Sequence, residues 1–317
     1  MEYLTLKNSD LKVSRFCMGG CPMGGYGWGN VQENELLDAI HAALDVGVNF
    51  FDTADTYGLG QSEITLAKGL GNRRKDVVIQ SKFGVRVGGG KTVYDNSPAY
   101  IEAALNESLK RLNTDYIDVY TIHYRNPETP IGEVVETLLR LRDSGKIRYF
   151  GLSNITAETM AELLPYKGLF VNCQNEYSLA CRKYEADLEI LQNDLRVTPL
   201  TWGSLGQGIL TGKYDRNTVF GKDDRRSRDI YVNFHGEKLE QNLLIVDVLR
   251  EIAAVHNKSI ASCAIRYILD KMPESVVLAG VKRTEQLLSN VEAMDWKLGS
   301  DEQNKLEEVS FRCLKSF

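Results

Sequence analysis

The stretch FFDTADTY, residues 50–57, decides how the rest of the chain is interpreted. An apolar run at residues 48–51 is typical of a buried strand, and Gly47 just before it is typical of the end of a helix. Asp52 therefore falls where this strand ends, and Tyr57 falls in the turn before the next helix. Ionisable side chains at this end of a strand are where α/β proteins place their chemistry. On their own, Asp52 and Tyr57 fit a turn cap and a surface side chain just as well.

The alternation of apolar strand and amphipathic helix continues along most of the chain. Strands are predicted at 13–18, 48–51, 77–82, 117–123, 147–151, 171–174, 197–201 and 275–279. Helices are predicted at 33–45, 62–70, 98–112, 131–144, 156–164, 184–192, 239–256, 259–269, 284–292 and 301–310. Three helix starts are predicted to be capped by side chains, at Ser62 with Glu63, Ser97 with Pro98, and Thr129 with Pro130.

This order of elements predicts an α/β fold in which a parallel sheet is covered by helices. The strand count and the lack of a long linker favour a (β/α)8 TIM barrel that occupies residues 1–317 as a single domain. A short N-terminal hairpin turning at residues 8–10 would precede it, and a C-terminal helical tail would follow. A Rossmann sheet is disfavoured because the glycine-rich run at 84–90 begins no helix. Segments 84–96 and 214–238 are predicted to be long loops.

Composition excludes several classes of protein. The net charge is −5 with no basic stripe, so neither nucleic acid nor a membrane is an expected partner. No apolar run reaches membrane-spanning length, and the first residues lack the apolar core of a signal peptide. Six cysteines without a C-x-x-C pair predict reduced thiols and a cytoplasmic location. The four histidines lack metal-ligand spacing, so no metal site is expected.

Six successive predicted strands end in polar or aromatic residues that suit chemistry or ligand contact. In a barrel the C-terminal ends of the strands meet on one face. Each residue alone has an ordinary explanation, since a single lysine is usually solvated and a single histidine usually belongs to a core. Their joint placement predicts a site. The residues are Asp52, Lys82, His123, Ser153 with Asn154, Gln174 and Trp202.

Seven motifs in chain order carry a resemblance to a known family. They are FFDTADTYGLGQSE, IQSKFG, YIDVYTIH, GKIRYFGLSN, CQNEYSL, TWGSLGQGILTGKYD and AGVKRTEQLLSNVEA. On these motifs the chain resembles the aldo-keto reductases over nearly its whole length. It looks closest to the branch that contains potassium-channel beta subunits and bacterial aldehyde reductases. The resemblance implies a TIM barrel that binds NADPH and reduces an aldehyde or ketone to an alcohol.

The resemblance also implies the catalytic residues. Tyr57 would be the general acid, Lys82 and Asp52 would stand behind it, and His123 would orient the carbonyl group. Electrostatics agrees, because a lysine ammonium within ~4–6 Å is expected to lower a phenol pKa of ~10 by ~1–3 units. Tyr57 would then protonate the alkoxide that develops during hydride transfer to the carbonyl carbon.

The resemblance implies cofactor contacts along the same face of the barrel. Trp202 would stack on the nicotinamide, and Lys282 beside a helix start favours NADPH over NADH through its charge on the 2′-phosphate. Backbone N–H groups of a glycine-containing loop and one cation would hold the pyrophosphate. The implied contacts are Gly20, Cys21, Asp52, Ser153, Asn154, Gln174, Trp202, Gly203, Ser204, Leu205, Gly206, Gly208, Lys213, Gly280, Lys282, Gln286 and Asn290.

Substrate contacts are predicted at Tyr26, Trp28 and Arg125. Arg125 follows His123 closely, and a cation at the mouth of the pocket would favour an aldehyde that carries a carboxylate or phosphate. An outward-facing arginine is the alternative. The identity of the small carbonyl substrate and the oligomeric state stay open.

Two other functions are compatible with the same fold. One is a redox-sensing regulatory or binding subunit with slow turnover, although channel beta subunits have another residue where this chain has His123. The other is barrel chemistry through a metal or a Lys82 Schiff base. The position of Asp52 beside Lys82 and the absence of metal-ligand spacing disfavour it.

Overall fold

Eight parallel strands close into a barrel in the computed structural model, which describes residues 1–88 and 91–314. The strands of the described residues are β1 Tyr3–Thr5, β2 Lys12–Ser14, β3 Phe16–Gly19, β4 Phe50–Asp52, β5 Val78–Phe83, β6 Val85–Gly88, β7 Lys91–Tyr94, β8 Ile117–Ile122, β9 Ile147–Ser153, β10 Phe170–Glu176, β11 Thr198–Trp202 and β12 Val276–Gly280. The barrel runs through β3, β4, β5, β8, β9, β10, β11 and β12, and β12 pairs with β3 to close it. The predicted (β/α)8 TIM barrel is confirmed.

Helices surround the barrel and cover its strands. Those of the described residues are α1 Glu33–Asp45, α2 Gln61–Leu70, α3 Pro98–Leu112, α4 Ile131–Asp143, α5 Glu185–Asp194, α6 Gly236–His256, α7 Ile260–Lys271, α8 Thr284–Val291 and α9 Ser300–Leu314. Every residue of β5 and β8 is buried. Because barrel strands are covered on one side by helices and on the other by the barrel interior, both faces of these strands are buried.

The N-terminal hairpin closes the end of the barrel where the strands begin. β1 and β2 pair antiparallel, and the Leu6 amide donates to the Leu11 carbonyl at 2.9 Å across the predicted turn. Leu6 and Leu11 pack in one buried cluster with Phe50 and Val78 from the starts of two barrel strands. The opposite end, where the strands finish, is left for a ligand.

Segment 84–96 is not the loop that the sequence predicts. β6 and β7 pair antiparallel in a hairpin with Arg86 opposite Val93. Most of its side chains are exposed, including Val87 at 51% and Val93 at 56%. A strand exposed on both faces lacks the alternation of buried and exposed residues on which strand prediction depends.

The predicted cap at Ser62 and Glu63 is wrong. Both residues lie inside α2, and both side chains are fully buried. The Ser62 hydroxyl donates to the Gly20 carbonyl at 2.7 Å, and the Glu63 carboxylate accepts hydrogen bonds from Ser81 and Arg111, each at 2.6 Å. These polar residues fasten α2 to the barrel.

The other predicted helix boundaries have mixed outcomes. Ser97 caps α3 as predicted, with its hydroxyl accepting from the Tyr100 amide. Thr129 does not cap α4, which begins after Pro130 without a side-chain cap. The helix predicted at 156–164 is a 3-10 helix, Thr159–Tyr166, which contains a proline.

Segment 214–238 contains little regular structure but has an ordered aromatic cluster of its own. The ring centroids of Tyr214 and Phe220 are 5.4 Å apart, and those of Phe220 and Phe234 are 5.0 Å apart. The Arg226 guanidinium lies 4.7 Å from the centroid of the Phe220 ring. Aromatic and cation–π contacts of this kind hold the segment against the barrel.

Gly151, in β9, is predicted to tolerate no side chain. A Cβ atom there would lie 2.3 Å from the Asn172 Oδ1 atom and 2.9 Å from the Thr121 hydroxyl oxygen. We expect Gly151→Ala to lower the free energy of unfolding by about 1–3 kcal/mol, the usual cost of overpacking. Urea unfolding measures this. Gly221→Ala is the control, because a Cβ at Gly221 meets nothing within 4 Å, and an equal loss in both variants would contradict the prediction.

Candidate active site

A cavity of about 580 Å³ opens at the end of the barrel where the strands finish. Most of the predicted site residues line it, namely Cys21, Trp28, Asp52, Tyr57, His123, Ser153, Asn154, Gln174, Trp202, Gly203, Ser204, Leu205, Gly208, Lys213, Gly280, Lys282, Gln286 and Asn290. The predicted residues that do not line it are Gly20, Tyr26, Lys82, Gly206 and Arg125.

A buried ion pair lies directly behind Tyr57. The Lys82 Nζ atom is 2.6 Å from Asp52 Oδ2, 2.9 Å from the Thr53 carbonyl oxygen and 3.2 Å from the Tyr57 hydroxyl oxygen. The two charged side chains are 0% and 2% exposed. Because a buried ammonium must direct its protons to acceptors, these three contacts hold Lys82 against the phenol.

Two glutamines hold the other carboxylate oxygen of Asp52. Gln80 and Gln174 each donate to Asp52 Oδ1, at 2.9 Å and 3.0 Å. Asn172 in turn donates to the Gln80 side-chain carbonyl at 2.7 Å. Sequence analysis missed Gln80 and Asn172. Gln80 precedes Lys82 by two residues and therefore lies on the same face of β5, which was the available indication.

The predicted lowering of the Tyr57 pKa is wrong. Burial raises the pKa of this phenol well above its usual value, and the negative charge of Asp52 adds to the increase. The prediction counted the Lys82 ammonium but neither the desolvation of the phenolate nor the carboxylate that accompanies the lysine. At neutral pH the Tyr57 hydroxyl is therefore protonated and can donate a proton.

His123 is a neutral imidazole beside Tyr57. Burial lowers the pKa of His123 well below its usual value, and the charge of Lys82 lowers it further. The rings of Tyr57 and His123 meet edge to face with centroids 5.9 Å apart. The His123 Nδ1 atom is buried and has no hydrogen-bond partner among the residues that the structure describes.

Ser153 and Asn154 connect the His123 backbone to β10. The Asn154 side-chain amide donates to the His123 carbonyl and to the Ser153 hydroxyl oxygen, each at 3.0 Å. The Ser153 hydroxyl donates to the Gln174 carbonyl at 3.1 Å. These bonds fix the polar wall of the cavity. The buried indole N–H of Trp202, which also lines the cavity, has no partner in the described part of the chain, so it is an unsatisfied donor.

The loop after β11 brings backbone to the cavity. Gly206 and Gly208 have φ values of +56° and +108°, in the left-handed region that glycine adopts without strain. The Ser204 hydroxyl is engaged inside the loop, since it donates to the Thr201 and Leu278 carbonyls. Gly206 lies beneath the loop, where a Cβ would meet Ile209 at 2.8 Å, so it shapes the loop without lining the cavity.

The far end of the cavity carries a cation cluster of Lys213, Arg225, Arg226 and Lys282. Burial lowers the pKa of Lys282, and the positive charges of Arg226 and Lys213 lower it further. Arg226 is held by Asp224, whose Oδ1 accepts from its Nε at 2.8 Å. Sequence analysis did not assign the two arginines to the site, because they lie in segment 214–238, which was predicted to be a long loop.

The segment at residues 27–28 contacts the cation cluster across the cavity, between its two ends. The Arg225 amide donates to the Gly27 carbonyl at 3.0 Å, and the Lys282 ammonium donates to the Trp28 carbonyl at 2.6 Å. Tyr26 does not point into the cavity as predicted. It is 54% exposed, and its hydroxyl accepts from Arg228 at 3.1 Å on the outer surface.

The predicted substrate contact at Arg125 is also wrong. Its guanidinium forms two hydrogen bonds with Glu162, at 2.8 Å and 2.9 Å, and donates to the Thr129 carbonyl at 2.6 Å. A bidentate ion pair with further carbonyl partners uses most of the donors of an arginine. Arg125 therefore fastens the segment after His123 to its neighbour instead of offering a charge to a ligand.

The lining of the cavity suits an anionic group at one end and a carbonyl or carboxamide oxygen at the other. Mutual repulsion within the cation cluster is relieved by a dianionic group, and exposed backbone beside Gly208 suits a pyrophosphate. At the other end, the unsatisfied donors of His123 or Trp202 and the phenol of Tyr57 suit a carbonyl or carboxamide oxygen. In the described ranges, no cluster of three or more His, Cys, Asp or Glu residues is placed to hold a metal ion.

Asp55 is a buried carboxyl group close to the site that the chemistry above does not use. Its Oδ2 atom accepts from the Tyr100 hydroxyl at 3.2 Å. Burial, with a smaller contribution from the charge of Glu63, raises the pKa of Asp55 to about 7.

Comparisons with known proteins find the same family along almost the whole chain. The family model described as "Aldo/keto reductase family" matches residues 15–310. Aldo-keto reductase YhdN of Bacillus subtilis (strain 168) is 33% identical over 312 residues, which are 98% of this chain and 93% of that protein. The NADH-specific methylglyoxal reductase of Escherichia coli (strain K12) is 30% identical over 329 residues, with 98% of each chain covered.

A solved structure shows the same barrel. The glycerol dehydrogenase AKR11B4 from Gluconobacter oxydans is 31% identical and superposes with a TM-score of 0.87, covering 98% of this chain and 95% of that one. Within the part of this chain that the structure describes, no helix is long and apolar enough to cross a membrane.

We expect Asp55→Asn to stabilise the protein, and its gain in the free energy of unfolding over the wild type to grow as pH rises. The folded-state pKa of about 7 lies above the unfolded value, so the unfolded chain releases this proton first and stability falls between about pH 4 and pH 7. Between pH 5 and pH 8 the carboxyl group lowers the free energy of unfolding by roughly 2–3 kcal/mol. Asp55→Asn removes this loss. Thermal unfolding at both pH values measures it. The exposed Asp38→Asn on α1 is the control, and a gain that does not depend on pH would contradict the prediction.

Proposed function

The chain belongs to the aldo/keto reductase family, and we propose that it reduces an aldehyde or ketone to an alcohol with NADPH, using Tyr57 as the general acid. The observation that carries this proposal is the contact of the Tyr57 hydroxyl with Lys82 at 3.2 Å, at the end of a cavity that His123 also lines. A phenol, an ammonium and an imidazole around one point suit a reaction in which an oxygen atom gains negative charge and then a proton.

Tyr57 donates the proton in this mechanism. Its raised pKa keeps the hydroxyl protonated before the reaction, and the adjacent Lys82 ammonium stabilises the phenolate after the proton has left. Asp52 holds Lys82 in place through the 2.6 Å ion pair. The ammonium therefore stabilises mainly the Tyr57 phenolate that proton transfer produces. This stabilisation lowers the barrier to proton donation.

His123 orients the substrate. A neutral imidazole has one N–H donor and can direct it at a carbonyl oxygen. The pKa of His123 is far below its usual value, so the ring carries no charge at neutral pH and does not compete with Tyr57 as the acid.

The cation cluster supports NADPH as the cofactor. When bound, the nicotinamide supplies the hydride that reduces the carbonyl carbon. Trp202, Ser153, Asn154 and Gln174 would hold the ring, and the loop through Gly208 would bind the pyrophosphate. One relative is named as NADH-specific, so the preference for NADPH rests on the local charge. Lys282 beside Arg226 and Lys213 suits the two negative charges of a 2′-phosphate.

The substrate we propose is a small carbonyl compound without a charge. Arg125 is engaged by Glu162, and the walls near Tyr57 are aromatic, from Trp28, Tyr124 and Trp202. Aromatic walls without a free cation favour an uncharged ligand. We also propose a cytoplasmic location, because unpaired cysteines of this spacing are typical of reducing compartments.

Tyr57→Phe should separate cofactor binding from chemistry. We expect the NADPH dissociation constant, from fluorescence titration, to stay within about twofold, and aldehyde-dependent NADPH oxidation to fall about 10²- to 10⁴-fold because the proton donor is lost. Tyr116→Phe, before the start of β8 at the opposite end of the barrel, is the control. Absence of NADPH binding to the wild type would refute the proposal. Tight binding with very slow turnover of every aldehyde tested would favour the redox-sensing regulatory subunit.

Lys282→Met tests the cofactor preference. We expect the NADPH dissociation constant to rise about 10- to 100-fold, the loss of one charge-assisted contact, while the NADH constant changes less than about threefold. The exposed Lys297→Met is the control for a change of net charge. Equal losses for the two cofactors would show that Lys282 supports the site without recognising the 2′-phosphate.

A further inference from the structure

The imidazole of His123 lacks the hydrogen bond that usually fixes a catalytic histidine. In many enzymes one ring nitrogen bonds to a carboxylate or backbone carbonyl, and that bond sets the orientation of the ring. Here the Nδ1 atom is buried and has no partner. The orientation of His123 must therefore come from the packing of its ring.

Aromatic rings supply that packing. One face of His123 is stacked on Tyr124, with centroids 5.1 Å apart and an interplanar angle of 29°. Tyr124 is stacked in turn on Tyr94, with centroids 5.0 Å apart and an angle of 16°. On the other side, the edge-to-face contact with Tyr57 places the ring beside the proton donor. The three stacked rings of His123, Tyr124 and Tyr94 are called the aromatic stack below.

The outermost ring belongs to the β6–β7 hairpin, on the surface. Tyr94 is the last residue of β7 and is 45% exposed. Val87 and Val93 of the hairpin are more than half exposed. Stacking on Tyr124 is thus the main ring contact that joins this hairpin to the site in the described part of the chain.

Hydrogen bonds between asparagine side chains and the backbone hold the same two segments in register. Asn126 donates to the Tyr94 carbonyl at 2.9 Å, and the fully buried Asn96 donates to the Tyr124 carbonyl at 3.1 Å. The Asn126 amide also donates to the Asn96 side chain at 2.6 Å. Arg125, between the two, is tied to Glu162. The base of the hairpin and the segment after His123 are therefore one rigid unit, which keeps the stack aligned.

We propose that Tyr94 is a positioning residue for the reaction, which acts through Tyr124 to set the orientation of the His123 ring. The proposal rests on the proposed function of His123 in orienting the carbonyl. Tyr94 is not among the residues that line the cavity, so it contacts neither substrate nor cofactor. Tyr94 limits the orientations of the Tyr124 and His123 rings from the outer end of the aromatic stack. This contact takes the role that a hydrogen bond to Nδ1 has in other enzymes. Stacking needs the aromatic face and does not need the tyrosine hydroxyl.

The first experiment compares Tyr94→Ala with Tyr94→Phe. We expect Tyr94→Ala to lower kcat about three- to tenfold, the effect of one lost ring contact, with KM and the NADPH dissociation constant within about twofold. Tyr94→Phe keeps the stacking face and should retain wild-type kcat. Val93→Ala, an exposed change on the same strand, should also have no effect. Loss of kcat in Tyr94→Phe equal to that in Tyr94→Ala would overturn the proposal, because the hydroxyl would then be the important group.

The second experiment repeats Tyr94→Ala in a His123→Gln background. A residue that acts through His123 should cause no further loss once His123 is gone. A full three- to tenfold loss, about as large as in the wild type, would show a general structural effect and overturn the proposal.

The third experiment does not depend on catalysis. Proton resonances of the four histidine rings are recorded by NMR on histidine-labelled protein, and His123→Gln identifies the signal of His123. We expect Tyr94→Ala to shift the His123 ring resonances and to leave those of the other histidines in place, with no shift in Tyr94→Phe. Unchanged His123 resonances in Tyr94→Ala would overturn the proposal. If the wild type binds NADPH but reduces no carbonyl compound, a His123 shift would support the stack while the proposed function fails.

Discussion

The ion pair between Lys82 and Asp52 is the constraint on which the rest of the site depends. Two opposite charges are completely buried at the end of the barrel, 2.6 Å apart. Removing charges from water is costly unless every remaining donor and acceptor is satisfied. The barrel meets this requirement with Thr53, Gln80 and Gln174 around the pair. A buried ion pair of this kind is weak evidence for stability, because well-packed apolar residues in its place are often as stable.

The same pair explains the behaviour of the two residues next to it. Desolvation, together with Asp52, keeps Tyr57 protonated, and desolvation, together with Lys82, keeps His123 neutral. The site therefore contains an uncharged acid and an uncharged hydrogen-bonding ring beside a fixed ammonium. The other end of the cavity has the opposite character, because Lys213, Arg226 and Lys282 concentrate positive charge there. The two ends of the cavity therefore differ in charge, as the proposed cofactor and carbonyl substrate require.

Three of the residues whose predicted roles are wrong share a cause. Arg125, Ser62 and Glu63 were given roles from the type of residue and its neighbours in the sequence. In the structure they bind Glu162, Gly20 and Arg111, all of which are distant in sequence. The β6–β7 hairpin was missed because its side chains are exposed on both faces. The arginines of segment 214–238 were missed because a segment that folds against the barrel can have the same composition as a solvated loop.

The sequence by itself determined the alternation of strands and helices, the closed barrel that this alternation implies, and the ionisable residues at the strand ends. These follow from periodicity and local turn chemistry, which act over a few residues. Only the tertiary structure decided what those residues do. Gln174 donates to Asp52 across 122 residues of sequence, and the pKa directions of Tyr57 and His123 depend on burial by many segments at once. Desolvation and the choice of hydrogen-bond partner are properties of the assembled barrel, so they cannot be derived from neighbours along the chain.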